Sequence, residues 1–404
     1  APSIPAGGHI SHGKKEHSGT AGLVHGLEIE FFAFDSEEMN IDVEKTKAKV
    51  EELKRQDRLP KIAMFGGSVF LFPHPIKELA DFLKGYDMHI NYDAAHVAGL
   101  ISGGEFQDPL REGVDTMTMS THKTLFGPQG GLVLAFEKDA EVIKKATFPG
   151  LTSSHHIHHM AAKAVTFAEA LEFGKDYAAQ TIKNAKVLAS TLNDLGLKVL
   201  GEKKGFTQSH QAVVNVLDYG DGGKIEADLE KANIIVNRQL VPGDIKAKRH
   251  YMHPSGIRLG TSEVTRLGMK ESEMGQIASL IKSVIVDDED RKDIAKEIVS
   301  ITNQVFNYSA CVEDVSEATL RIYAIISQIS NDNINQDDWD NIDIDDINQE
   351  YNDSDDMEQL IENIINNFSC GLGVEFKTMD LDIGFMNLGA AGYVVGFSIS
   401  KKID

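Results

Sequence analysis

Asp93, in N-Y-D-A-A-H-V-A-G, and Lys123, in S-T-H-K-T-L-F-G-P-Q-G-G, stand 30 positions apart. Each follows a short apolar run that reads as a buried strand, Met88–Tyr92 and Val114–Met119. In open parallel sheets, ligands bind outside the carboxyl ends of the strands. A lysine placed there beside threonine and histidine is not an ordinary surface lysine. Its amine suits a Schiff base with an aldehyde cofactor, pyridoxal phosphate. An aspartate on the neighbouring strand would pair with the protonated pyridine nitrogen and keep the ring an electron sink. On spacing alone, a capping aspartate and a solvated lysine fit equally well.

The elements that must position these residues alternate along the chain. Lys61–Phe65 is a short apolar run closed by Gly66-Gly67, Pro75–Lys84 has helical periodicity, and Gly131–Phe136 is a further strand candidate. Strands separated by helices predict an α/β fold with a parallel sheet and right-handed crossovers. Met160–Leu195 predicts one or two long helices. Strands at Ala212–Leu217, Ile234–Val236 and Ile257–Gly260, with helices at Lys224–Ala232 and Glu271–Val286, predict a second, smaller α/β domain.

Composition narrows the partners. The chain has 404 residues, 42% hydrophobic and 25% charged, which suits a soluble protein of two or three domains. A net charge of −22 disfavours nucleic acid and anionic membranes, which need clustered Lys and Arg. No run of 18 apolar residues spans a bilayer. Two cysteines, Cys311 and Cys370, exclude a disulfide scaffold, lack a neighbouring base or C-x-x-C spacing, and fit a reducing cytoplasm. Residues 331–404 hold 17 acidic residues and three lysines, so −14 of the net charge lies after Ser330. The Asn/Asp/Ile tract there lacks the glycine and glutamate spacing of an EF-hand loop and reads as solvated linker.

The segments G-G-H-I-S-H-G, N-Y-D-A-A-H-V-A-G-L, M-S-T-H-K-T-L-F-G-P-Q-G-G, T-F-P-G and S-G-I-R-L-G-T-S-E-V-T-R-L-G occur in this order. Together they resemble serine hydroxymethyltransferase, a fold-type I pyridoxal-phosphate enzyme, over roughly residues 3–312. T-S-S-H-H-I-H-H resembles the archaeal branch. The resemblance implies a three-layer, mostly parallel cofactor domain over 1–160, an interdomain helix and small C-terminal domain over 161–313, and an acidic linker with an unassigned extension over 314–404.

The resemblance implies serine–glycine interconversion, with a tetrahydropterin, tetrahydrofolate or tetrahydromethanopterin, as one-carbon acceptor, in a homodimer. Residue by residue, it makes Lys123 the Schiff-base lysine and Asp93 the partner of the pyridine nitrogen. His96 falls near the phenolic oxygen, His9 on the pyridine ring face, and Ser68 near the ring and its lysine linkage. Thr121 and His122 flank the lysine. Arg258 holds the substrate carboxylate, for which a bidentate fork is well suited. Ser153 offers a backbone amide to the cofactor phosphate, often across subunits, and Gly8 and Ile10 line the pterin pocket. The rivals are a threonine-aldolase-like carbon–carbon lyase and a truncated, non-catalytic binding protein.

Plainer roles remain for several of these residues. His96 could cap the helix beginning near Ala94, and Arg258 could be structural. Arg266 reads as a structural ion-pair residue. His155, His156, His158 and His159 have helical spacing for a metal but no acidic third ligand, and read as the start of the interdomain helix, so no metal is expected. The family supplies much of its phosphate cradle, a catalytic glutamate and an active-site tyrosine from residues before G-G-H. Without a counterpart here, the chain is expected to be a fragment or a diverged protein with weak cofactor binding and an uncovered sheet edge. Beyond 312, Met357–Phe368 predicts a helix, and Gly371–Lys377 and Gly392–Ser400 predict strands.

Overall fold

The computed structural model describes residues 1–17, 19–154 and 156–305, and the backbone of strands Asp380–Asn387 and Tyr393–Ser400. The expected helix Met357–Phe368, the strand Gly371–Lys377, the acidic tract and both cysteines lie outside the described residues. Contacts divide the chain into two units, Ala1–Ser153 with Glu169–Cys311, and Ser154–Ala168 with Val312–Asp404. In the second unit Asp380–Asn387 and Tyr393–Ser400 pair antiparallel, the latter close to the expected Gly392–Ser400.

The first unit is built on two four-stranded sheets, beside a short antiparallel pair, Phe34–Asp35 with Asn40–Ile41. The larger runs β1 (Ile62–Gly66), β2 (His89–Asp93), β3 (Thr116–Ser120), β4 (Gly131–Ala135), hydrogen-bonded in that order. β1, β2 and β3 are parallel, so their carboxyl ends share one edge. β4 is antiparallel to β3, so the sheet is mostly parallel, as expected. A parallel return needs a crossover of about a dozen residues or more. The loop from Thr121 to Gly130 is too short for that and turns straight back.

Helices α1 (Val43–Arg55) and α2 (Ile76–Lys84) flank this sheet. Asp42 caps α1, its carboxylate accepting from the Lys45 amide at 2.9 Å. On α2 the buried residues Ile76, Leu79, Ala80 and Leu83 fall at helical spacing and line one face. They join Phe65, Ile90, Tyr92 and Leu100 in the main core. Next comes α3 (Ala98–Ser102), then α4 (Glu137–Lys145), and then the 38-residue α5 (Ile157–Asp194).

The smaller sheet is antiparallel throughout, in the order β5 (Lys198–Val199), β6 (Gln211–Asn215), β8 (Gly256–Gly260), β7 (Asn237–Gln239). Helices α6 (Gly222–Lys231) and α7 (Glu271–Ile285) pack on it through Ile225, Leu229, Met274 and Ile281. A third cluster, Leu71, Phe72, Val213 and Val241, joins the loop after β1 to this sheet. The expected strand Ile234–Val236 is displaced to Asn237–Gln239; Ile234 and Val236 are buried just before it.

Candidate functional site

The site forms at the carboxyl end of β2. Asp93 is its last residue and lies between Gly66 of β1 and Thr118 of β3. It is 8% exposed. Its Oδ1 accepts from the Ala95 amide at 3.0 Å, and His12 Nε2 stands 3.3 Å from its Oδ2. Gly66 and Gly67 both have positive φ, and a Cβ on Gly67 would meet Gly7 O at 2.5 Å. That absence of side chains lets the Gly7–Gly8 backbone lie against the end of β1. It delivers His9 and His12, whose rings meet edge-on at 6.1 Å.

Lys123 is held by a tightly wound loop. Thr121 is fully buried; its hydroxyl donates to Pro128 O at 2.6 Å and its amide to Gly130 O at 3.0 Å. His122 Nδ1 accepts from the Gly130 amide at 3.3 Å. The Thr124 hydroxyl donates to His96 O and accepts from the Gly99 amide, each at 3.0 Å. The lysine loop is thereby tied to the chain just after Asp93.

From the smaller sheet, Arg258 of β8 donates through Nη1 to Ser68 O at 3.0 Å and through Nη2 to Asn237 Oδ1 at 2.8 Å. His96 stacks on buried His210, ring centroids 5.9 Å apart and planes 12° from parallel. Gln211 Nε2 lies 3.3 Å from His96 Nδ1. Thus Asp93, Lys123, His9, His96 and Arg258 are brought together, with Ser68 and Gly8 in the adjoining backbone. Ile10 is exposed next to His9. Ser153 is exposed and shares no hydrogen bond with this group among the described residues.

The electrostatics follow from partial burial of like charges. Burial pushes the Lys123 amine below its usual range; Asp93 opposes this and Arg258 adds to it. Burial also lowers the Arg258 guanidinium. His9 is lowered by burial, with Asp93 opposing and Lys123 and Arg258 adding. Burial lowers His12 too, against the pull of Asp93. His96 is pushed far down by burial and then by Arg258 and Lys123, and His210 to about 3 for the same reasons. His9, His12, His96 and His210 are therefore held neutral beside Lys123 and Arg258.

Sequence reasoning left three participants unassigned: His12, His210 and Gln211. His12 had a local signal, since it stands three residues after His9 in the same Gly-rich segment. Arg266 makes an ion pair with Glu169 at 2.9 Å and lies over the Phe126 ring, a structural arrangement. Among the described residues no group of three or more His, Cys, Asp or Glu could hold a metal ion. None of the described helices is long and apolar enough to cross a membrane.

A family model described as serine hydroxymethyltransferase matches residues 2–281. A protein named serine hydroxymethyltransferase from Nitrosopumilus maritimus is 74% identical over 314 residues, covering 78% of this chain and 71% of its own. One of the same name from Methanothermobacter marburgensis is 50% identical over 305 residues, covering 76% and 70%. Among solved structures, L-threonine transaldolase from Pseudomonas fluorescens superposes with a TM-score of 0.65 at 30% identity. That match covers 76% of this chain and 66% of the transaldolase chain, just under two thirds.

Proposed function

The chain belongs to the serine hydroxymethyltransferase family, and from that premise we propose that the cluster around Asp93 and Lys123 is a pyridoxal-phosphate site converting serine and glycine. The α/β fold is that of a fold-type I pyridoxal-phosphate transferase. The observation that carries the reading is electrostatic. A half-buried lysine with a depressed pKa lies within electrostatic reach of a buried carboxylate, a neutral imidazole and a half-buried guanidinium.

The residues present fit the cofactor. Asp93 offers a carboxylate to a protonated ring nitrogen, and Lys123 offers an amine that loses its proton easily. His9 offers a flat face without fixed charge. His12 Nδ1 is a buried polar atom without a hydrogen-bond partner. Bound there, pyridoxal phosphate supplies an aldehyde for amine exchange and a ring that holds the electrons freed when the serine Cα–Cβ bond breaks. Arg258 binds the substrate carboxylate; Ser68 and Asn237 already hold its fork. The depressed pKa of Lys123 makes it easier for this side chain to give up a proton and act as a neutral amine. Thr121 and His122 brace its loop. Gly8 and Ile10 line a pocket for a reduced pterin, tetrahydrofolate or tetrahydromethanopterin, that takes up the one-carbon unit.

Residues 1–160 form the cofactor-binding part in this reading and 161–313 the interdomain helix and small domain. The protein acts as a cytoplasmic homodimer in one-carbon metabolism. The apolar strand β4 supports a partner surface: Val133, Leu134 and the following Phe136 are exposed. A partner copy would also bring Ser153 to the phosphate. The test is serine-to-glycine conversion by the purified protein with pyridoxal phosphate and each pterin. Cofactor-dependent conversion that disappears in Lys123→Ala is expected. Conversion that survives Lys123→Ala, or cleavage of threonine in clear preference to serine, would overturn the reading.

A further inference from the structure

Gln211 opens β6 and is 1% exposed. Both ends of its amide are engaged. Oε1 accepts from the Phe70 amide at 2.8 Å. Nε2 donates to Ser68 O at 2.9 Å and meets His96 Nδ1 at 3.3 Å. Two of these partners are main-chain groups whose roles cannot change: an amide N–H only donates and a carbonyl only accepts. Reversing the side-chain amide would set N–H against N–H and oxygen against oxygen. The backbone therefore fixes which end of Gln211 faces His96, and that end is the donor.

A neutral imidazole carries one N–H and one acceptor nitrogen. With the Gln211 hydrogen directed at Nδ1, the acceptor is Nδ1 and the proton sits on Nε2. His96 is kept neutral by its burial beside Arg258 and Lys123. Its ring lies parallel to the stacked ring of His210, and its carbonyl is held by the Thr124 hydroxyl.

We propose that Gln211 is a positioning residue for the reaction: it locks His96 in the Nε2–H tautomer, so that this histidine presents a hydrogen-bond donor to an acceptor oxygen of the bound cofactor. This rests on the site reading given above. The tautomer itself does not, and it can be measured without cofactor or substrate.

The experiment is nitrogen-15 NMR of histidine-labelled protein without added ligand, with the His96 signals assigned by their loss in His96→Gln. Protonation at Nε2 is expected in the unaltered protein. In Gln211→Glu the carboxylate is an acceptor, and a proton should appear on Nδ1. Gln211→Met keeps length and removes the amide, so the two tautomers should mix. In both variants kcat for serine cleavage should fall about 10- to 100-fold. In Gln211→Met, which sets no oxygen against Ser68 O, KM for serine should change little, because Arg258 keeps Ser68 O and Asn237. A proton on Nδ1 in the unaltered protein overturns the proposal, and that measurement needs no variant to fold. An Nε2 proton that Gln211→Glu and Gln211→Met leave in place also overturns it. A displaced tautomer with unchanged kcat refutes the positioning role. Loss of the Lys123 dependence would instead refute the site reading and leave the tautomer result standing.

Discussion

At Asp93 both carboxylate oxygens have protein partners, the Ala95 amide on Oδ1 and His12 on Oδ2. These contacts hold the carboxylate in one orientation, which is what the proposed role of Asp93 requires. Asp93→Asn should leave the fold intact and lower serine turnover by the equivalent of ~3 kcal/mol or more. Because Asp93 also supports the charge on Lys123, the variant should lower the lysine pKa further. The pH dependence of Lys123 modification by an aldehyde followed by borohydride reports this; an unmoved profile with normal turnover would remove Asp93 from the mechanism. At Arg258 the fork is anchored by Ser68 O and Asn237. A lysine there loses the planar pair of donors. Each charge-assisted bond contributes about 1.5–3 kcal/mol, so Arg258→Lys should raise the serine KM about 10- to 100-fold. Steady-state kinetics indistinguishable from the parent would reassign Arg258 to structure.

Among the elements, α3 is the one that sets the lysine loop. A Cβ on Gly99 would stand 1.9 Å from Thr124 O and 2.3 Å from Thr124 C, both backbone atoms next to Lys123. Neither side can yield without moving the loop. Gly99→Ala should cost about 1–3 kcal/mol of stability and weaken pyridoxal-phosphate binding. Urea unfolding and a cofactor titration check both, and no change in either would contradict the tie. Much of this scaffold was legible in the sequence. The apolar runs ending at Phe65, Tyr92 and Met119 became strands ending within one residue of those positions. Apolar runs mark buried strands but carry no direction, and the reversal of β4 was readable only from the shortness of its connecting loop. β7 escaped because it is polar, N-R-Q, with Arg238 bound to Glu226 and Asn237 to Arg258. Motif residues such as Asp93, Lys123 and Arg258 were legible because local sequence identifies them. Gln211 was not, because its partner His96 lies 115 positions away and only the fold brings them together.

For the molecule as a whole, buried neutral histidines tie stability to pH. His74 is fully buried in the main core; its pKa is lowered from 6.5 to about 4, and its Nδ1 accepts from the Gly66 amide at 3.2 Å. His210 is lowered to about 3. Between the folded and unfolded values the unfolded chain binds more protons, so stability is full above pH 6.5 and falls as the pH drops toward 4. For His74 alone the loss by pH 4 is roughly 3 kcal/mol. Urea midpoints at successive pH values should show the decline, and His74→Gln, which can still accept from Gly66, should flatten it. An unchanged slope in that variant would exclude His74 as a source. The Ser68 peptide is one of the points at which the loop after β1 is bonded to the smaller sheet. The Ser68 carbonyl, in the loop after β1, accepts from both Arg258 of β8 and Gln211 of β6. Both of its lone pairs are thereby taken, so this one oxygen works as a linkage pin. Rotating that peptide plane withdraws an anchor from the Arg258 guanidinium and from the Gln211 amide in the same stroke. The proposed roles of Arg258 and Gln211 are thereby geared together, and neither can be retuned through this loop without disturbing the other.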